Sequence, residues 1–183
     1  DLKLSRGLGD VYKRQYHPVT SEANDMGKQA TALFETLKRS ERKFVTILPN
    51  NDPGYKEIWQ VIETLPLTQF RVIPSMRFSY FSELMKNSSV IVGNSSAGVR
   101  EAPFLGIPSL DIGSRQRARS TAVSVTNCKP TDHEQILSFL TNSWGACYPR
   151  DESFGTGKSS EKFLKILNSP EFWANDIQKI FNE

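Results

Sequence analysis

Cysteine and histidine are scarce in this chain of 183 residues, two of each. Cys128 and Cys147 have neither a Cys-x-x-Cys spacing nor a histidine partner, so no zinc site and no disulfide framework is implied. Both are expected to be buried thiols, and no metal or redox cofactor is indicated. Long apolar runs are missing as well: nothing approaches the roughly 18 residues that span a bilayer, and no apolar signal segment opens the chain. The protein is therefore read as cytoplasmic, and the sequons Asn87-Ser88-Ser89 and Asn94-Ser95-Ser96 carry no meaning for glycosylation. A large charge of one sign is absent too. The net charge is +3, of which residues 1–15 supply +2 through Lys3, Arg6, Lys13 and Arg14 against Asp1 and Asp10. No basic stripe with interleaved aromatics follows, which excludes an ordinary nucleic-acid interface. Gly157-Lys158-Ser159 ends like a phosphate loop, but that motif needs glycine five residues earlier, where Glu152 stands.

What is present suits one α/β domain, or one lobe of a larger protein: 38% hydrophobic and 23% charged residues, with ample length for a core. Residues 1–15 show no strand alternation and resemble a vector junction; they are read as a non-native leader, and 16–183 as the lobe itself. Ala30, Leu33, Phe34 and Leu37 mark a helix over Met26–Lys38, and Ile58, Val61, Ile62 and Leu65 one over Tyr55–Leu65. Strands are expected at Phe44–Leu48, Phe70–Ile73, Val90–Val92, Ile107–Ile112 and Ala122–Val125. Further helices are expected at Phe78–Lys86, Ala97–Leu105, from a Thr131 cap to Leu140 (with an exposed His133), from Ser159-Ser160 through Leu167, and from Ser169-Pro170 to Phe181. The aromatic set of the Phe78–Lys86 helix, Tyr80 and Phe81 included, reads as core. Alternating strands and helices argue for a doubly wound parallel sheet with its ligand site at the carboxyl ends of the strands.

Chemistry-bearing residues follow those strand ends. After Val90-Ile91-Val92-Gly93 come Asn94-Ser95-Ser96 and a helical pattern, an arrangement that offers unpaired amides and two hydroxyls to an anion. Glu101, about one turn on, is placed to accept hydrogen bonds from a ribose diol. The same turn also serves as a plain helix cap, and spacing does not separate the two readings. Gly113-Ser114-Arg115-Gln116-Arg117-Ala118-Arg119 follows another strand, packing three arginines into five residues suited to a diphosphate. Asn50 and Asp52 end the Phe44 strand, where turn chemistry would equally select them. His17, held extended by Pro18, follows residue 16 at a strand end.

The ordered set Tyr16-His17-Pro18-Val19-Thr20, Leu48-Pro49-Asn50-Asn51-Asp52, Lys56-Glu57, Gly93-Asn94-Ser95-Ser96, Gly98-Val99-Arg100-Glu101, Gly106-Ile107-Pro108, Ile112-Gly113-Ser114-Arg115-Gln116, Tyr148-Pro149 and Phe154-Gly155-Thr156-Gly157 resembles the C-terminal half of hydrolysing UDP-N-acetylglucosamine 2-epimerases. The resemblance spans about residues 16–168. It implies a Rossmann-like C-terminal lobe of a glycosyltransferase-B-like fold, with the N-terminal lobe and its acid/base carboxylates missing from this chain. It also implies a UDP-sugar substrate, an oligomer when full length, and a place in sialic or nonulosonic acid synthesis. By the same resemblance His17 is the catalytic residue. Asn50, Asp52, Phe81 (against the uracil), Ser95, Ser96, Glu101, Arg115 and Arg119 bind substrate. The family pattern has glycine where Ala118 stands; if that position is left-handed, Ala118 strains it.

Three other readings are weighed. A retaining glycosyltransferase lobe often carries Glu-x7-Glu near the ribose, whereas Glu101 is followed by Pro108 at +7 and Ser109 at +8. A non-hydrolysing epimerase usually has Asp-Ser-Gly-Gly at the ligand turn, unlike Asn94-Ser95-Ser96-Ala97. A non-catalytic nucleotide-sugar-binding module would bind UDP without turnover even with its second lobe restored.

Overall fold

The computed structural model describes residues 12–174. The chain falls into two compact units, one running to Asp151 and the other starting at Glu152. The first unit is a six-stranded parallel sheet in the order β3-β2-β1-β4-β5-β6, with β1 Tyr12–Gln15, β2 Phe44–Ile47, β3 Phe70–Ile73, β4 Ile91–Gly93, β5 Ser109–Ile112 and β6 Val125–Cys128. The order reverses between β1 and β4, which opens a crevice at their carboxyl ends.

The sheet core follows from the apolar strands. All four residues of β2 are buried, and Phe44 stacks on Phe70 of β3 with ring centroids 5.3 Å apart. Helix α1 (Met26–Arg39) lays Met26, Ala30, Leu33, Phe34 and Leu37 on this surface, with Phe34 tilted against Phe70 at 6.3 Å. Burial of each of the larger side chains, Met26, Leu33, Phe34 and Leu37, contributes about 1.5–3 kcal/mol. Helix α2 (Tyr55–Glu63) buries Ile58 and Ile62 beside α1, and α3 (Phe78–Lys86) buries Met85. Tyr80 is half exposed at 52%, so the aromatic face of α3 is not the core element its composition suggests.

Several further expectations differ from the structure. β1 lies inside the stretch read as a strandless leader; hydrogen-bonded neighbours on both sides, β2 and β4, override the poor strand propensity of its sequence. Residues 1–11 of that leader lie outside the described residues. β6 is Val125–Cys128 instead of Ala122–Val125, because the register pairs Ser109 with Val125 while Val123 is 75% exposed. Its polar Thr126 and Asn127 fit an edge strand. The Ala97–Leu105 helix breaks into α4 (Ser96–Val99) and α5 (Glu101–Phe104). Pro103 lacks the amide that a continuous helix would need, but is tolerated in the first turn of a new one. Finally, α6 (His133–Asn142) is capped by the Asp132 carboxylate, which accepts from the Gln135 amide, rather than by Thr131. His133 is half-buried, not exposed: its ring hydrogen-bonds the Thr36 hydroxyl of α1.

Cys128 is buried, and desolvation together with Asp132 and Asp111 pushes its thiol up to about 12. Cys147 is exposed, contrary to expectation. In the second unit α7 (Ser159–Leu167) and α8 (Pro170–Trp173) form as read; the remainder of the last predicted helix, toward Phe181, lies outside the described residues. Among the described residues no helix is long and apolar enough to cross a membrane, and no His/Cys/Asp/Glu group suits a metal ion.

Candidate functional site

The crevice between β1 and β4 is closed by one side chain. Asn94, 1% exposed just past β4, accepts from the His17 amide through Oδ1 (2.6 Å) and donates to the His17 carbonyl through Nδ2 (2.7 Å). It thus satisfies both main-chain groups of His17, two residues past β1, and locks the two strand ends together. The Asn94 carbonyl faces a third strand end. It accepts from Arg115 Nη1 at 3.0 Å and from Gln116 Nε2 at 3.2 Å, both in the loop after β5. Arg119 joins through Gln116 Oε1 at 3.2 Å.

His17 is served from the other side by the β2 end. Its Nδ1 lies 3.2 Å from the Asn50 amide nitrogen and 3.1 Å from Asn50 Oδ1. A neutral ring accepts the amide proton at Nδ1 and carries its own proton on Nε2. A protonated ring donates Nδ1–H to Oδ1 instead. One asparagine therefore accommodates both protonation states, as an acid, a base or a proton-donating positioning group requires. Asn50 Nδ2 donates to the Asp52 carboxylate, which orients the amide so that Oδ1 faces the ring.

The loop of Arg115 is held at its start. Asn127 Nδ2 donates to the Gly113 carbonyl (3.0 Å), the Asp111 carbonyl (3.1 Å) and Asp111 Oδ2 (2.8 Å). Burial nonetheless pushes the Asp111 carboxyl up, the Asn127 bond opposing it. Further along, Ala118 takes φ +60°, the left-handed conformation for which glycine is suited. Left-handed backbone costs a non-glycine residue about 1–2 kcal/mol. Ala118→Gly is expected to raise stability by about 1 kcal/mol, measured by urea denaturation; a loss of stability would show the strain is absent.

Ser95 and Ser96 follow Asn94 directly, half-buried at the mouth of the same crevice. Ser95 Oγ accepts from the Ala97 amide and the Ser95 carbonyl from the Gly98 amide, while the Ser95 and Ser96 amides have no acceptor among the described residues. With α4 only four residues long, an anion here would meet local N–H groups and arginine, not a substantial helix dipole. Gly98 lets α4 lie close to β5: a Cβ there would sit 2.7 Å from Ser109 Oγ, and that hydroxyl would have to shift.

Glu101 opens α5 with an exposed side chain. Phe81 of α3 packs on the cluster of Met85, Ile91, Ala97, Ala102 and Ile107. This places Phe81 against the two short helices that carry Ser96 and Glu101. His17, Asn50, Asp52, Arg115 and Arg119 thus join through hydrogen bonds via Asn94 and Gln116; Ser95 and Ser96 adjoin them in the chain. Glu101 and Phe81 are tied to the set through the α4–α5 pair. Asn94 and Gln116 were not among the candidates. Their presence just past strand ends was a signal, but their partners are main-chain groups remote in sequence.

Comparison with known proteins gives this arrangement a family. A model described as UDP-N-acetylglucosamine 2-epimerase matches residues 9–168, β1 included. The chain belongs to the UDP-N-acetylglucosamine 2-epimerase family. It is 38% identical over 173 residues to a UDP-N-acetylglucosamine 2-epimerase of Neisseria meningitidis, covering 91% of this chain and 45% of that protein. It is 28% identical to a hydrolysing UDP-N,N'-diacetylbacillosamine 2-epimerase of Legionella pneumophila, over 90% and 44%. It therefore spans just under half the length of these epimerases. The fold matches the N. meningitidis epimerase solved with UDP-GlcNAc (TM-score 0.68, 18% identity, 86% of this chain and 44% of that one). A Methanocaldococcus jannaschii epimerase solved with UDP-GlcNAc and UDP gives the same TM-score at 15% identity, over 86% and 45%. The six-strand unit accordingly has the Rossmann-like fold of a lobe in the glycosyltransferase-B-like architecture.

Proposed function

We propose that this lobe binds the UDP moiety in a hydrolysing UDP-N-acetylglucosamine 2-epimerase, which converts UDP-N-acetylglucosamine, or a related UDP-diacetamido sugar, to the 2-epimeric free sugar and UDP. N-acetylmannosamine or its analogue would then feed sialic or nonulosonic acid synthesis. One observation carries the reading: Asn94 ties the ends of β1, β4 and β5 into a single crevice at the sheet's switch point, with an arginine and two hydroxyls at its mouth.

A base removes the C2 proton while the C1–O bond to UDP breaks, leaving a C1=C2 double bond. Water then adds its oxygen to C1, and a proton returns to C2 on the opposite face. The departing diphosphate gathers negative charge, which Arg115, Arg119, the Ser95 and Ser96 hydroxyls and the nearby amides would stabilise. His17, through Nε2–H, would donate to the leaving group or hold the sugar. Glu101 would accept from the ribose hydroxyls, and Phe81 would lie against the base. The carboxylates for the C2 chemistry are expected from the second lobe, so the chain by itself is proposed to bind UDP without turnover.

Calorimetric titration with UDP tests this. Ser95→Ala and Glu101→Ala are each expected to weaken binding by about 1–3 kcal/mol, the value of a charge-assisted hydrogen bond. Equal affinity across wild type and both variants would refute the site.

A further inference from the structure

We propose that Glu22 and Ser114 form a latch between the loops after β1 and β5 that positions Arg115 for the phosphates. This rests on reading the crevice as a nucleoside diphosphate site. Glu22 lies in the 3-10 segment Thr20–Asp25, at the one residue there whose backbone departs from helical angles (φ −118°, ψ 17°). Each oxygen of its carboxylate accepts from a neutral donor. Oε2 accepts from Gln29 Nε2 at 2.9 Å, and Oε1 accepts from the Ser114 hydroxyl across 92 positions of sequence. Gln29 in turn accepts through Oε1 from the hydroxyl of Tyr16, 2% exposed and adjacent to His17. The chain Tyr16–Gln29–Glu22–Ser114 thus runs from the neighbour of His17 to the neighbour of Arg115.

Two consequences follow from the chemistry. The Arg115 loop is fixed at Gly113 by Asn127 and by the Gly113 amide's bond to the Cys128 carbonyl (2.8 Å), and Ser114 adds a second anchor one residue before the arginine. Two successive anchors immediately before Arg115 restrict where the guanidinium can point, which lowers the ordering cost when an anion arrives. Furthermore, each Glu22 oxygen accepts from a neutral donor, Gln29 or Ser114, and among the described residues Arg115 enters no ion pair. Those same hydrogen bonds hold the Glu22 carboxyl below its usual range, so the charged form is the one latched. Glu22 and Ser114 are positioning residues: they act through Arg115.

The test compares UDP with uridine, which lacks the phosphates, on the whole chain. Ser114→Ala is expected to weaken UDP binding about three- to tenfold, less than a charge-assisted bond to the ligand itself because this one acts through Arg115, and to leave uridine within twofold. Ser114→Thr, which keeps the hydroxyl, is expected to restore UDP binding to within twofold. Glu22→Ala combined with Ser114→Ala is expected to lose no more than the larger single loss, since both break one contact. If Arg115→Ala loses UDP while Ser114→Ala binds it like wild type, the latch is refuted and the crevice reading stands. Parallel losses of UDP and uridine in Ser114→Ala would also refute the latch, marking a general loosening. If Arg115→Ala binds UDP like wild type, the crevice reading fails, and the latch with it.

Discussion

Gly106→Ala is expected to lower the thermal midpoint by about 6–12 °C, the shift produced by a loss of about 3 kcal/mol in a chain of this size. Two costs combine at this position. Gly106 takes φ +70°, where a Cβ is strained by about 1–2 kcal/mol, and that Cβ would stand well inside contact distance of the Tyr148 carbonyl oxygen. The obstacle is backbone, and it cannot rotate away. The Gly106 carbonyl accepts from the Tyr148 amide (2.9 Å), and the Pro103 carbonyl from the Asp151 amide (3.1 Å). The Arg150 guanidinium lies 3.5 Å over the Phe104 ring. Residues 148–151 are therefore a strap on α5, and relief of the clash would break it. Overpacking of this kind costs a further 1–3 kcal/mol or so. Differential scanning calorimetry checks the shift; a midpoint within 1 °C of wild type would contradict the strap.

Asn94→Ala is expected to weaken UDP binding at least about tenfold and to cost about 2–4 kcal/mol of stability. The side chain is nearly inaccessible, so the binding loss would not come from a lost ligand contact. It would come from releasing His17, whose amide and carbonyl both lose their partner, and from shifting the carbonyl that holds Arg115 and Gln116. An unpaired, part-buried main-chain group costs about 1–3 kcal/mol. Urea denaturation and calorimetry on the same protein give the two numbers. Lost stability with unchanged UDP affinity would separate the clamp from the ligand site.

Much of this was legible from residue type and spacing because the responsible forces are local. The helical pattern of Ala30, Leu33, Phe34 and Leu37 and the β-branched strand Phe44–Ile47 both report burial of a continuous surface. The strain at Ala118 was legible because only glycine adopts its conformation without cost, and the family pattern marks a glycine there. What could not be read depends on distant partners. β1 carries no apolar alternation and is a strand because β2 and β4 pair with it. Asn94 looks like any turn asparagine until His17, 77 residues away, is brought opposite it. Glu22 and Ser114 are ordinary surface residues in the sequence, and the topology alone joins them. The break between α4 and α5 was legible in principle, since Pro103 lies inside the predicted helix, but the apolar pattern outweighed it.

Amide hydrogen exchange with and without UDP tests the central claim most directly, since exchange reports local opening segment by segment. Bound UDP is predicted to slow exchange together in residues 17–22, 94–101 and 113–119, the segments following β1, β4 and β5, and to leave α2 around Tyr55, Lys56 and Trp59 unchanged. Protection confined to α2, or to one of the three segments without the others, would contradict a single crevice built around Asn94.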